Sequence, residues 1–372
     1  MKIKYIKIYK LFNYFFIIGI LKFINCSSPS SPQDTNRPSL IVDYNITSNT
    51  VWGKGTDIII KGEVIIDSSF CLIIENNVNI IFDSENSVLK VFGTLSSKET
   101  NETTNISFVK KETQKEDFKQ NCIYAETGSL INLEYCIFDG FNIAIKSRIG
   151  SLFLRGCIFR NCYQGIYNVQ LDSCIVDKCI FINNEFDITF ERSFYTDVNR
   201  AIVENCEFFK SIRTSVKITN KAYGILFNNR FEDCKQGVLC EYGSNVLIKN
   251  NSILNCETGI YFYGYLDEPD GNILMNEIDN SKDGIVLYYS SPDVNYNNLL
   301  KCKDYKIKSI QFQNLVINAK YNWWDTTNED EIKLNIFDKN DGNDSKNIGI
   351  VDFSPIMKEP INSAGVQKIA EN

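Results

Sequence analysis

One short phrase recurs through the middle of the chain and limits what it can become. It reads CIFDG from Cys136, CIFRNC from Cys157, CIFINN from Cys179, CEFFKS from Cys206, NRFEDC from Asn229, NSILNC from Asn251, NEIDNS from Asn276, NNLLKC from Asn297 and NWWD from Asn322, at steps of 21 to 27 residues. A period of this size marks stacked supersecondary units, each able to bury its apolar face only against its neighbours. With the first residue of each phrase as position zero, position −3 holds Leu133, Leu154, Val176, Val203, Leu226, Ile248, Ile273, Val294 and Ala319. Position +2 holds Phe138, Phe159, Phe181, Phe208, Phe231, Ile253, Ile278, Leu299 and Trp324. The period of two in a strand sends both columns inward. A third inward column of small residues follows at +5, with Cys162, Asn184, Ser211, Cys234, Cys256, Ser281 and Cys302. Shortly after it, Gly165, Gly237, Gly259 and Gly284 open the next strand, where glycine is expected to support a corner with unusual backbone angles.

Upstream, short β-rich runs at Ile58–Ile60, Val64–Ile66, Leu72–Ile74, Val78–Phe82 and Val88–Phe92 are separated by Gly, Asn and Asp, the pattern of brief strands and tight turns. The charge-rich segment from Lys110 to Gln120 reads as a surface loop between coils. The Trp52 lead-in, Cys71-Leu72-Ile73-Ile74-Glu75 and Gly93-Thr94-Leu95 resemble the opening of the right-handed parallel β-helix family, the pectin-lyase-like superfold. Asn322, Trp323, Trp324, Val351, Phe353 and Pro355 resemble its closing segment, with Asp325 where that segment carries Gly. The fold class expected is therefore all-β: a single-stranded right-handed parallel β-helix, a solenoid of about 22-residue coils with a C-terminal cap. The solenoid is expected over residues 41–357 with its cap from 321, followed by a flexible tail over 358–372.

At the start, five lysines up to Lys22 flank an apolar run from Leu11 to Leu21, too short to span a bilayer, and residues 1–26 read as a signal peptide. The run ends in Phe23-Ile24-Asn25-Cys26 and resembles a bacterial lipoprotein signal, which implies lipidation of Cys26. The Ser/Pro-rich stretch 27–40 suits a tether. Export and an anchor in the outer membrane or cell surface are expected, with plain secretion the alternative. Sequons at Asn45, Asn101 and Asn105 would matter for an exported eukaryotic protein. Removing the five lysines takes the formal net charge from −7 to −12, so nucleic acid is not an expected partner.

The chain has 13 cysteines and no histidine. Most cysteines fall in the inward columns, where parallel Cβ vectors one strand spacing apart exceed the usual disulfide range, so free structural thiols are expected. No zinc pattern occurs, and the spacing of Asp338, Asp341 and Asp344 does not fit a calcium loop; no metal or cofactor is expected.

Function is sought on outward positions. Glu241, Tyr263 and Tyr288 are expected to align as one exposed column beside Tyr261 and the loop Leu266–Gly271, and aromatic faces beside carboxylates suit sugar binding. The resemblance implies extended polysaccharides lying along a lateral groove. A second outward column, Glu134, Arg155, Asp177, Glu204 and Lys249, reads as cross-strand pairing of charges. The function expected is that of a non-enzymatic cell-surface lipoprotein that binds glycan or another surface ligand, or serves as a structural or adhesive rod, with polysaccharide or another surface protein as its partner. No residue is assigned a catalytic role. The alternative is a polysaccharide lyase or hydrolase; the hydrolases of the superfold use Asp pairs with a His, which this chain lacks.

Overall fold

The computed structural model describes residues 37–111, 120–148, 150–169, 173–192, 200–265, 267–341 and 347–367. Contacts divide the chain into Met1–Arg37 and Pro38–Asn372. The second unit is a right-handed parallel β-solenoid of about 11 turns with about 22 residues per coil. Every coil passes through three parallel sheets. Sheet A has 12 strands from Ser39–Val42 to Asn298–Leu299, sheet B has 12 from Glu63–Ile66 to Ile336–Phe337, and sheet C has 11 from Thr50–Trp52 to Asp293–Asn295.

The repeated phrase is the sheet A strand with its flanking corners. Position +2 points into the solenoid, and Phe108, Phe138, Phe159, Phe181, Phe208 and Phe231 stack coil on coil with centroids 4.5–4.9 Å apart. Position −3 lies inside sheet C from Leu133 to Val294 and continues at Ala319 in the cap, and all nine of its residues are buried. The +5 residues are buried at the corner from A to B, with Cys302 partly so.

At position zero the amides form an unbroken ladder. Asn229, Asn251, Asn276 and Asn297 each donate from Nδ2 to the Oδ1 of the next asparagine at 3.0 Å, ending on Asn322. Each Oδ1 also accepts the main-chain N–H of the preceding position-zero residue at 2.8–2.9 Å. In the cysteine half of the column Cys157 and Cys206 make the equivalent bonds to main chain. Cys206 Sγ accepts the Cys179 N–H (3.4 Å) and donates to Val176 O (3.3 Å), as Asn229 accepts the Cys206 N–H (2.9 Å) and donates to Val203 O (2.9 Å). The twelve described cysteines are all free thiols.

The corners differ from expectation. Gly165, Gly237, Gly259 and Gly284 do not have the left-handed angles; those fall on the residues just before and four after position zero. Tyr135, Gly156, Lys178, Asn205, Asn228, Asn250, Met275, Tyr296 and Tyr321 have φ of 52–61° before it, and Asn161, Asn183, Lys210, Asp233, Asn255 and Asn280 have 52–57° after it. The four glycines are required by close approach. A Cβ at Gly237 or Gly259 would lie 2.6 or 2.5 Å from the carbonyl oxygen of the next coil. Three polar residues occupy this same inward column: Asp187 opposite Gly165, Ser215 opposite Gly237 and Lys306 opposite Gly284.

The ends correct two boundaries. Ser39 and Leu40, placed in the tether, already pair with Asp57 and Ile58. Residues 358–372 are not a free tail as far as Gln367, because side-chain amides on the solenoid bond its main chain, for instance Asn298 to Ile361 and Asn228 to Gln367. The cap carries one short helix, α1 (Glu329–Leu334), started by Asn328, which accepts the Asp330 N–H. Ile332 is its buried residue; Trp324 is also fully buried and meets Phe353 edge-on at 6.1 Å. Asp338 is buried and bonds the N–H groups of Asn340 and Val351, a turn-closing role; Asp344 lies outside the described residues.

Candidate ligand-binding face

Alternation along sheet B turns every second residue outward, and the parallel register lines these residues up across coils. One outward column runs Tyr124, Lys146, Tyr167, Thr189, Lys217, Leu239, Tyr261, Val286 and Lys308. Two residues further along each strand a second column contains Glu191, Thr219, Glu241, Tyr263, Tyr288 and Ile310. Glu241, Tyr263 and Tyr288 thus stand in register on successive strands, with Tyr261 beside Tyr263.

The aromatic end of this face is a connected cluster. Tyr263 and Tyr288 stack with centroids 5.2 Å apart and planes 12° from parallel, while Tyr261 meets Tyr263 edge-on at 6.0 Å. Tyr289 and Phe312 extend it, at 4.9 and 6.2 Å from Tyr288 and 4.7 Å from each other. These two escaped the repeat reading because both lie in the bends after their strands, where the period of two stops; Tyr289 takes the left-handed conformation. Burial pushes the Tyr261 hydroxyl up to about 12, helped by Tyr263, Tyr288 and Glu241, so at neutral pH it is a hydrogen-bond donor and not a base.

Glu241 departs from the expectation of exposure, being only 9% accessible. Lys217, on the preceding strand but one step back along it, reaches the carboxylate at 2.6 Å, and Thr219 Oγ1 donates to it at 3.2 Å. The carboxylate is therefore a held acceptor with one edge committed to lysine. Lys217 lies in a column that the repeat phrase does not flag, and only the sheet B register exposes it. Further down the same face, Lys146 Nζ lies 5.2 and 5.9 Å from the rings of Tyr124 and Tyr167. Tyr167 donates to Glu191 at 2.7 Å, and its hydroxyl is raised to about 12 by burial and by that acidic partner.

At the edge where sheet A turns into sheet B, an open hollow of about 660 Å³ is lined by Glu185, Phe186, Arg213, Gln236, Glu257 and neighbours. Behind its floor, sealed from solvent, lies Asp187, bonded by Asn184 Nδ2 (2.8 Å) and by the Ser211 hydroxyl, which also meets Ser215 at 2.8 Å. Burial holds this carboxyl well above the usual range, with no cation to offset it. An acid this enclosed cannot reach a bound polymer. Among the described residues no group of three or more acidic, cysteine or histidine side chains is placed to hold a metal ion. In the other predicted column, Arg155 pairs with Asp177 at 3.6 Å, a surface contact. Cys26 lies outside the described residues.

The fold defines the class, a right-handed parallel β-helix. In agreement, residues 193–320 match a family model described as a right handed beta helix region. No curated protein and no solved structure matches the chain.

Proposed function

We propose that the outer face of sheet B binds an extended glycan, on an exported protein held at the cell surface through lipid on Cys26 and carrying out no chemistry of its own. The supporting observation is the in-register set Glu241, Tyr263 and Tyr288, with Tyr261 alongside. It combines stacked aromatic faces, a held carboxylate and hydroxyl donors on a sheet whose strand spacing of about 4.8 Å is close to the length of one sugar. Aromatic rings take up the apolar face of a pyranose, while the carboxylate and hydroxyls accept and donate to its edge.

The test is binding of the mature protein to an array of polysaccharides, repeated with Tyr263→Ala. Removing one stacking ring is expected to weaken retention by about ten-fold, roughly 1.4 kcal/mol, with the melting temperature little changed because the ring lies on the outside. Absence of any retained glycan, or unaltered binding in a folded Tyr263→Ala protein, would sink the proposal. Incorporation of labelled fatty acid, lost in Cys26→Ala, tests the anchor separately.

A lyase on the same face is the second reading, favoured by the closeness of Lys217, Glu241 and Tyr261. Unsaturated product from an acidic polysaccharide, followed by absorbance, would establish it. The raised Tyr261 hydroxyl argues against a tyrosinate base there.

A further inference from the structure

The C-terminal segment after the cap runs back across the solenoid, against the direction in which the coils were laid down, and the manner of its attachment is informative. The Ile361 N–H donates to Asn298 Oδ1 (2.8 Å) while Asn298 Nδ2 donates to Ile361 O (3.0 Å), so one side-chain amide pairs with a residue's main chain on both sides. Asn250 Nδ2 donates to Ser363 O (2.5 Å), and the Gly365 N–H donates to Met275 O (2.8 Å). The Val366 N–H donates to Ser252 Oγ (2.9 Å) and the Gln367 N–H to Asn228 Oδ1 (2.6 Å). Every one of these bonds uses a main-chain atom of the segment. Three of the groups that receive it, Asn228, Asn250 and Met275, are the left-handed corner residues of successive coils.

We propose that this line of corner residues is a docking track that reads the main chain of an extended peptide, and that residues 361–367 are its resident and displaceable occupant. The partner the track fits is an extended segment of another polypeptide. It takes a small side chain at the buried Ala364, requires glycine at one further place and accepts varied side chains at the exposed positions. That place is Gly365, where φ is +82° and a Cβ would lie 3.0 Å from Ser252 Oγ and 3.1 Å from Glu277 Cβ. Elsewhere the side chains of Asn362, Ser363 and Val366 point to solvent, with Val366 43% exposed. The linker Lys358–Pro360 is exposed as well, so the segment can leave without disturbing the cap. The line of corner residues continues beyond the Gln367 contact: Asn228 Nδ2 donates to Oδ1 of Asn205, the corresponding residue one coil further on, at 2.8 Å.

The test uses the full chain with Gly365→Val, which should release the segment, and a fluorescent peptide Ile-Asn-Ser-Ala-Gly-Val-Gln read by anisotropy. Release is checked by faster tryptic cleavage after Lys358. The peptide is expected to bind the variant and to bind the wild type at least ten-fold more weakly, because the resident segment competes at an effective concentration on the order of millimolar. Adding Asn250→Ala to the variant should abolish binding. A folded variant with a released segment and no peptide binding overturns the proposal. So does a variant that unfolds, since the segment would then be part of the fold and not an occupant, and so does a segment that stays docked despite the valine.

Discussion

At position zero a thiol and a carboxamide do the same work. Each accepts the N–H of the preceding coil's equivalent residue and donates to the carbonyl three residues before it, which is why Cys gives way to Asn along the column without a break in the stack. Cys206→Asn is therefore expected to change stability by less than about 1 kcal/mol in urea unfolding, whereas Cys206→Val leaves the buried Cys179 N–H without an acceptor and should cost about 1–3 kcal/mol. Asp187 poses the opposite case, a polar residue where its column otherwise favours small ones. Its carboxyl is raised in the folded protein above about 3.9, its unfolded value, so the native state binds the extra proton. The stability it confers is complete below about pH 4 and is lost as pH rises toward the folded value. Asp187→Asn should accordingly match the wild type near pH 4 and exceed it increasingly between pH 5 and 8, by thermal melts in a pH series. A gap that stays flat with pH would mean that the carboxyl is ionised inside the solenoid.

At the scale of the element, the sheet A strand and its two corners form the unit of the fold. The inward columns were readable directly, because burial on one face of a strand leaves a period of two that survives in every phrase. Phe181, sandwiched between Phe159 and Phe208 at 4.9 Å on either side, should cost about 3–5 kcal/mol on replacement by Ala. The corners were not readable in the same way. Sequence points to Gly for left-handed angles, yet at most of these corners the solenoid places Lys, Tyr and Met beside Asn, while Gly165, Gly237, Gly259 and Gly284 stand where the next coil's carbonyl comes too near for a Cβ. Only the excess of Asn at these places carried a signal, since Asn tolerates this conformation better than most residues. Lys210, exposed with φ of 55°, offers a clean check. Lys210→Gly should raise stability by up to about 1 kcal/mol and Lys210→Val should lower it, both by denaturant midpoint.

For the solenoid as a whole, the repeat made the architecture legible and left the candidate face half legible. Register alone brought Glu241, Tyr263 and Tyr288 into one line. It did not reveal that Lys217 covers the carboxylate, because that contact joins neighbouring columns and depends on the reach of a long side chain. Nor did composition reveal the docked C-terminus, whose attachment rests on main-chain atoms and so leaves little trace in residue type. The in-register stacking of coils has one more consequence. Apart from the docked C-terminal segment, each coil packs on its two neighbours, and the two coils from Cys206 to Asn250 lie between the Tyr167–Glu191 cluster and the Tyr263–Tyr288 pair. Gain of one such unit would change the distance between the two clusters by a single step of about 4.8 Å, so that insertions of whole coils reset the spacing of the two aromatic clusters without altering either.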